Sequence, residues 1–334
     1  MLPFHVMGGT AVRAVVARSR ARIHARIDDT YRAHHRGETI NPDSYFLRFP
    51  DKPDARIIAL PALLRGDPPV AGLKWIGSFP GNVARNLPRA SAVLILNDYA
   101  TGYPFACLEA AQISAARTAA SAALGAEHLH GSRTADRIAV VGAGVISRNI
   151  LEFLHDLGWS AGEVVVHDTV PAYAAKSAAY ARSLGFTACT GADLRGSVAG
   201  ADLVVLATTA AEPYITEPGF FAAGQTVLNI SLRDIGPELI ADAHNVLDDV
   251  EHCLHAGTSP HLAVQKFGTR DFIDGTLAGL VLGEFALTRD KPLIFSPFGL
   301  GVLDIAVGTE VLAAGIADGT AHAFDGFFAE ESRW

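Results

Sequence analysis

The chain has 334 residues, 49% hydrophobic and 19% charged, a globular composition with length enough for two domains. A net charge of −8 offers no basic field for nucleic acid, and no apolar run reaches the ~20 residues that span a bilayer. Cys107, Cys189 and Cys253 lie far apart without metal-ligand spacing, so no metal is expected and the thiols fit a reducing, cytoplasmic compartment.

Residues 10–36 carry Val12, Val15, Val16, Ile23, Ile27 and Tyr31 at helical spacing among arginines, which predicts one long surface helix capped by Gly37. Asp28 and Asp29 within that period argue for an ordinary helix and against a transit peptide. From 44 to 108 the pattern changes to short β-type runs: SYFLRF, RIIALPALL, AGLKWIGSF, SAVLILND and PFACLEA. Turn residues separate them, as in an antiparallel sheet. The alanine-rich stretch Ala110–Leu129 predicts a closely packed helix leading into a second region.

From Arg137 strands and helices alternate, through RIAVVG, EVVVHD, ADLVVLAT, TVLNIS and HNVLDD, which predicts a parallel sheet covered on both faces. A final helix, VLDIAVGTEVLAAGIADG, follows FSPFGLG. The expected fold class is α/β: a Rossmann dinucleotide-binding domain over 129–297, plus a discontinuous α+β substrate-binding and dimerisation domain over 1–128 and 298–334. Exposed strands of the latter pairing across a two-fold axis make a homodimer the expected assembly.

In RIAVVGAGVISRNILEFL, Gly142 and Gly144 follow a strand and open a helix, where they let the backbone turn tightly beside a pyrophosphate. Ser147 replaces the third glycine of the usual fingerprint. A lone GxG is weak, but here the next strand ends on Asp168 at the right spacing. Asp168 can accept both ribose hydroxyls and repels a 2′-phosphate, and no arginine follows it, so NAD is favoured over NADP. The bland alternative is a structural turn in an unrelated α/β protein.

Lys74 lies on an otherwise apolar strand, where an inward ammonium needs a reason. Arg117 sits in a helix of small residues, Arg85 and Arg89 lie on the intervening loop, and Arg48 ends SYFLR. Such cations usually pair with nearby acids, the favoured reading for Arg85 taken alone. Their density fits a pocket for a substrate with several carboxylates. Asp234, just beyond TVLNIS, is placed to face the cofactor crevice as a general acid/base, and a loop cap is the equal alternative. Thr208, Thr209 and Ser231 occupy similar strand ends, where hydroxyls reach ribose or phosphate. The histidines show no HExxH or triad order, and His252 and Cys253 are left without a role.

GLKWIGS, PGN at 80–82, NLPRASAVLILND, EAAQISAARTAA, GAGVIS and NISLRD together resemble the ornithine cyclodeaminase/μ-crystallin superfamily over essentially the whole chain. RIIALP, GLKWIGS, RNLPRAS, LILND, EPYI and NISLRD resemble its 2,3-diaminopropionate-forming branch, the N-(2-amino-2-carboxyethyl)-L-glutamate dehydrogenases of staphyloferrin B-type siderophore biosynthesis. The resemblance implies that Lys74 and Arg117 hold the substrate α-carboxylate, with Arg117 also near the cofactor. It implies that Asp234 transfers protons, and that Val145, Ile146, Thr209 and the segment from Ser231 to Asp234 contact NAD. It further implies an amino-acid substrate supplied by a PLP-dependent, cysteine-synthase-like partner. Three departures count against ornithine: NPDSYF replaces a PPR-type arginine segment, DIGPEL is shortened and lacks a lysine, and Arg89 stands at a threonine-type position. Ornithine cyclodeamination, alanine dehydrogenation or ketimine reduction, and a non-catalytic cofactor-binding role remain the alternatives.

Overall fold

The computed structural model describes residues 3–329. The chain divides into two compact units, one of residues 1–117 and 300–334 and the other of residues 118–299.

In the first unit, strand β1 (Phe4–Met7) precedes helices α1 (Gly9–Arg18) and α2 (Arg20–His35). The single helix expected over 10–36 is therefore broken at Ser19, whose backbone leaves helical geometry. The residues explain the break. Val15, Ser19, Ile23, Ile27 and Tyr31 recur every four positions, and each such step drifts about 40° around a 3.6-residue helix. A straight helix would carry the apolar stripe away from the return helix Gly301–Ala317, on which both segments pack, whereas interruption at Ser19 keeps Val15, Ile23, Ile27 and Tyr31 buried.

Strands β2 (Thr39–Ile40), β3 (Tyr45–Phe49), β4 (Lys52–Leu64), β5 (Val70–Ser78), β6 (Ala90–Asp98) and β7 (Pro104–Glu109) follow, then helix α3 (Ala111–His130), whose first residues, through Arg117, belong to this unit and the rest to the second. Neighbours β4, β5, β6 and β7 are antiparallel, as their runs predict. Strand β1 adds in parallel to β7, and a last strand, His322–Phe324, pairs with β1. Neither of these two strands was visible in the sequence pattern.

The return helix Gly301–Ala317 packs on β4, β5 and β6. Close approach depends on Gly72 of β5, where a Cβ would lie 2.5 Å from the Ile95 carbonyl and 2.6 Å from Ile305 of the helix. The register aligns Leu60, Lys74, Leu94 and Leu108 across four strands. All four are buried.

The second unit has eight parallel strands: β8 (Thr134–Val141), β9 (Ser160–His167), β10 (Ala188–Thr190), β11 (Leu203–Leu206), β12 (Thr226–Asn229), β13 (His244–Leu247), β14 (Ile273–Thr276) and β15 (Leu293–Ser296). Their order is β10-β9-β8-β11-β12-β15-β13-β14. Helix α4 (Val145–Asp156) links β8 to β9, and α5 (Pro171–Ser183) links β9 to β10. HNVLDD follows TVLNIS among the strands read along the chain, but in the sheet LIFS, here β15, which that reading did not single out, inserts between them. With four fully buried residues, LIFS reads as a generic apolar run. No helix among the described residues is long and apolar enough to cross a membrane.

Candidate functional site

Lys74 is held on the covered face of β5 and is 2% exposed. Its Nζ donates to Oδ2 of Asp304 at 2.6 Å and to Ser114 Oγ at 3.3 Å. Arg117, on α3, places Nε 3.4 Å from Asp304 Oδ1. Neither of these two atoms completes a well-formed hydrogen bond. Burial lowers the Lys74 pKa to about 8, with Asp304 pulling it up and Arg117 pushing it down. Lys74 and Arg117 contribute two positive charges and Asp304 one negative, so the cluster carries one net positive charge. A single carboxylate balances it.

Asp304 was absent from the sequence reading. Its signal is the acid within the apolar run VLDIAVG of the return helix. A carboxylate with no solvent exposure on such a helix requires a buried cation.

Arg89 stands on the same face, away from Lys74. The loop from β5 to β6 is closed by Phe79 N–H donating to Arg89 O at 2.9 Å, and Arg89 Nη1 donates to Ser78 Oγ at 2.7 Å. Ser78 is four residues along β5 from Lys74, so it shares the Lys74 face at a separation of about 13 Å. Burial depresses the Arg89 pKa. Among the described residues it has no carboxylate partner. Arg48 is exposed, with its guanidinium 5.1 Å from the Phe46 ring centroid. Arg85 is exposed at the end of a 3₁₀ turn, Pro80–Arg85.

In the second unit Gly142 and Gly144 do different work. Gly142 has φ +92°, and a Cβ there would lie 2.5 Å from the Ala207 carbonyl oxygen. A Cβ on Gly144 would meet nothing within 4 Å, which leaves open space at the N-terminus of α4. Ser147 is buried, accepts from Gly144 N–H at 3.1 Å and donates to the Gly142 carbonyl, so its hydroxyl ties the turn together. Val145 is exposed and Ile146 half-buried beside it.

Asp168, one residue beyond β9, accepts from Ala143 N–H and from Val170 N–H, each at 2.8 Å. A carboxylate has about four acceptor positions, so two remain for hydroxyls. The open glycine, the helix N-terminus and the half-engaged acid fit the pyrophosphate and ribose of a dinucleotide.

Asp234 has no solvent exposure. Thr208 Oγ1 donates to it at 2.9 Å, Ser231 Oγ lies 2.6 Å from Oδ2, and Tyr214 Oη donates to Oδ2 at 3.0 Å. Burial raises its pKa, and the three hydroxyls hold that rise back. The Ser231 oxygen also lies 3.0 Å from the Leu206 carbonyl. One hydroxyl hydrogen cannot serve both acceptors. With Asp234 ionised it points to the acid; with Asp234 protonated, the acid donates to Ser231, which turns to Leu206. Both protonation states are accommodated, as a proton-transfer group requires.

The sequence reading assigned Thr208 and Ser231 to the cofactor; their hydroxyls are on Asp234. Thr209 is exposed. Tyr214 was not singled out, and EPYI offers no local sign that its phenol reaches an acid twenty residues away. Among the described residues no group of three or more His, Cys, Asp and Glu could hold a metal ion.

The sequence pattern of the ornithine cyclodeaminase/mu-crystallin family matches residues 10–311. The chain belongs to that family. It is 30% identical over 260 residues to N-((2S)-2-amino-2-carboxyethyl)-L-glutamate dehydrogenase of Staphylococcus aureus, covering 75% of this chain and 76% of the relative. Its fold matches Thermococcus litoralis Δ(1)-pyrroline-2-carboxylate reductase in complex with NADH and L-proline, with TM-score 0.88 and 21% identity over 96% of this chain and 99% of that one. It also matches an archaeal alanine dehydrogenase dimer with bound NAD, with TM-score 0.87 and 24% identity over 98% of this chain and 100% of that one.

Proposed function

We propose that the chain is an NAD-dependent oxidoreductase acting at the CH–NH bond of an amino acid, and that it cleaves N-(2-amino-2-carboxyethyl)-L-glutamate to 2,3-diaminopropionate and 2-oxoglutarate. The observation that carries the substrate choice is Arg89, a half-buried guanidinium without an acid partner among the described residues. The Lys74–Arg117–Asp304 cluster balances one carboxylate, and a small substrate such as alanine needs no more. Arg89 then has no role. A substrate with three carboxylates gives it one.

Lys74 and Arg117 hold the carboxylate next to the reacting carbon, and Arg89 holds a distal one; Arg48 and Arg85 lie open to solvent as further candidates. Gly142, Gly144, Val145, Ile146, Asp168 and Thr209 hold the cofactor, with Thr208 and Ser231 contributing through Asp234. When bound, the nicotinamide supplies the acceptor for hydride. Loss of hydride from the glutamate α-carbon leaves a protonated C=N bond to the diaminopropionate nitrogen. Water adds to that carbon as one of its protons passes toward Asp234, giving a neutral carbinolamine. Asp234 returns that proton to nitrogen, and the C–N bond breaks as the carbinol O–H proton passes back toward Asp234, which releases it as the one net proton of the reaction. The products are 2-oxoglutarate and 2,3-diaminopropionate.

Such a substrate calls for a PLP-dependent, cysteine-synthase-like enzyme that joins the two amino acids, and the diamino acid product suits siderophore or peptide natural-product assembly. The three free thiols fit a reducing cytoplasm. A second copy is proposed to cover the outer face of the first unit's sheet. There one register row sets Tyr45, Ala59, Trp75 and Val93 side by side, with Tyr45 70% and Trp75 40% exposed. Sedimentation should give twice the chain mass of 35.2 kDa, and Trp75→Glu should shift it to monomer. A wild-type monomer contradicts the assembly.

Arg89→Thr tests the substrate reading. KM for N-(2-amino-2-carboxyethyl)-L-glutamate should rise at least about tenfold, as loss of a charge-assisted contact implies, with NAD affinity unchanged. Equal loss of both would overturn the assignment.

A further inference from the structure

Asp234 is the group to which the proposed chemistry sends its proton, yet it has no solvent exposure. Whatever it exchanges must pass through a neighbour. Three hydroxyls touch it. Thr208 also accepts from Ala210 N–H at 3.2 Å, and Ser231 also faces the Leu206 carbonyl, so both are tied to backbone and are half-buried. Tyr214 is 41% exposed, with its hydroxyl 3.0 Å from Asp234 Oδ2.

This placement is built into the chain. Tyr214 N–H and Ile215 N–H both donate to the Asp234 carbonyl, at 3.2 and 3.0 Å, and Ile215 pairs with Ile235 in an isolated parallel bridge. Ile215 and Ile235 are buried in the core, which pins the backbone on either side of the phenol and the acid. A tyrosine serving only to satisfy a buried carboxylate would be redundant beside Thr208 and Ser231, and would gain nothing from a half-exposed ring.

We propose that Tyr214 is the group through which Asp234 exchanges its proton with the reacting molecules, the phenol making the contact and the buried carboxylate storing the charge. The inference rests on the reading of Asp234 as the proton acceptor. As water adds to the C=N carbon, its proton forms a new O–H bond to the phenol oxygen while the phenol's own proton moves to Oδ2. The reverse transfer delivers the proton to the departing nitrogen. Tyr214 ends each transfer neutral. Burial and the charge of Asp234 hold its pKa far above the usual range, so it conducts the proton and does not act as a free base.

The test compares Tyr214→Phe, Asp234→Asn and the double variant. Rates are followed as NADH formation with N-(2-amino-2-carboxyethyl)-L-glutamate, L-alanine and L-ornithine, alongside NAD affinity. Tyr214→Phe should lower kcat about 100-fold or more with NAD affinity unchanged, and the double variant should be no slower than Asp234→Asn alone. Independently of any substrate, loss of the phenol's hydrogen bond should raise the Asp234 pKa further. The Tm of Tyr214→Phe should then fall below wild type as pH rises from about 4 to 8, and that difference should vanish in the Asp234→Asn background. Wild-type turnover by Tyr214→Phe beside an inactive Asp234→Asn overturns the relay and leaves the acid in direct contact. Wild-type turnover by both overturns the reading of Asp234 itself. An unchanged pH dependence of Tm removes the coupling on which the relay depends, whichever compound is turned over.

Discussion

Asp304 decides what the cationic cluster does. Without it, Lys74 and Arg117 would repel each other in a buried space, and Lys74 would shed its proton at lower pH. With it, Lys74 keeps a pKa of about 8 and the three-residue cluster holds one net positive charge. Substrate KM should therefore be flat below about pH 8 and rise above it as Lys74 loses its proton. Asp304→Asn removes the attraction that holds the proton on Lys74, so the rise should begin at lower pH. Breaking the buried pair should also cost on the order of 3–5 kcal/mol in denaturant unfolding. An unshifted KM profile would separate Lys74 from carboxylate binding. Lys74 and Arg117 were legible as residues because each breaks the character of its run, and Asp234 because it directly follows a strand end. Asp304 breaks its run too, but an acid near the start of a helix is also ordinary, so only the fold distinguishes the readings. Tyr214 was illegible because its partner comes from another strand end.

At the scale of elements, the glycine turn separates a structural requirement from a binding one. Gly142 faces the Ala207 backbone at +92°, and Gly144 faces open space. Gly142→Ala should destabilise by about 1–3 kcal/mol in denaturant unfolding, because the backbone is in the left-handed half of the map and the new methyl meets fixed atoms. Gly144→Val should leave stability within about 1 kcal/mol and weaken NAD binding at least tenfold in a titration. The reverse pattern would move the cofactor away from this turn. Strand and helix types were legible wherever periodicity and punctuation agreed, as in β4 to β7 and in β8, β9, β11 and β12. The break at Ser19 was not, since a four-residue repeat reads as one helix until its drift against the return helix is considered. Short strands such as β1, β10 and β15 lack the length to show a period.

For the whole molecule, carboxylate recognition is assigned to the unit formed by the two ends of the chain, and dinucleotide binding and proton transfer to the unit between them. That division was suggested by a nucleotide fingerprint beginning near residue 137, with a long β-rich stretch before it and an apolar helix after it. Family membership follows from the match over residues 10–311 and narrows the chemistry to amino acids and their imines without choosing among them. Arg89 makes that choice in the present account. The most direct test is product identification after incubation with NAD and N-(2-amino-2-carboxyethyl)-L-glutamate, L-alanine or L-ornithine. NADH, 2-oxoglutarate and 2,3-diaminopropionate should form in equal amounts from the first compound alone; proline and ammonia from ornithine without net NADH, or pyruvate from alanine, would overturn the proposed activity.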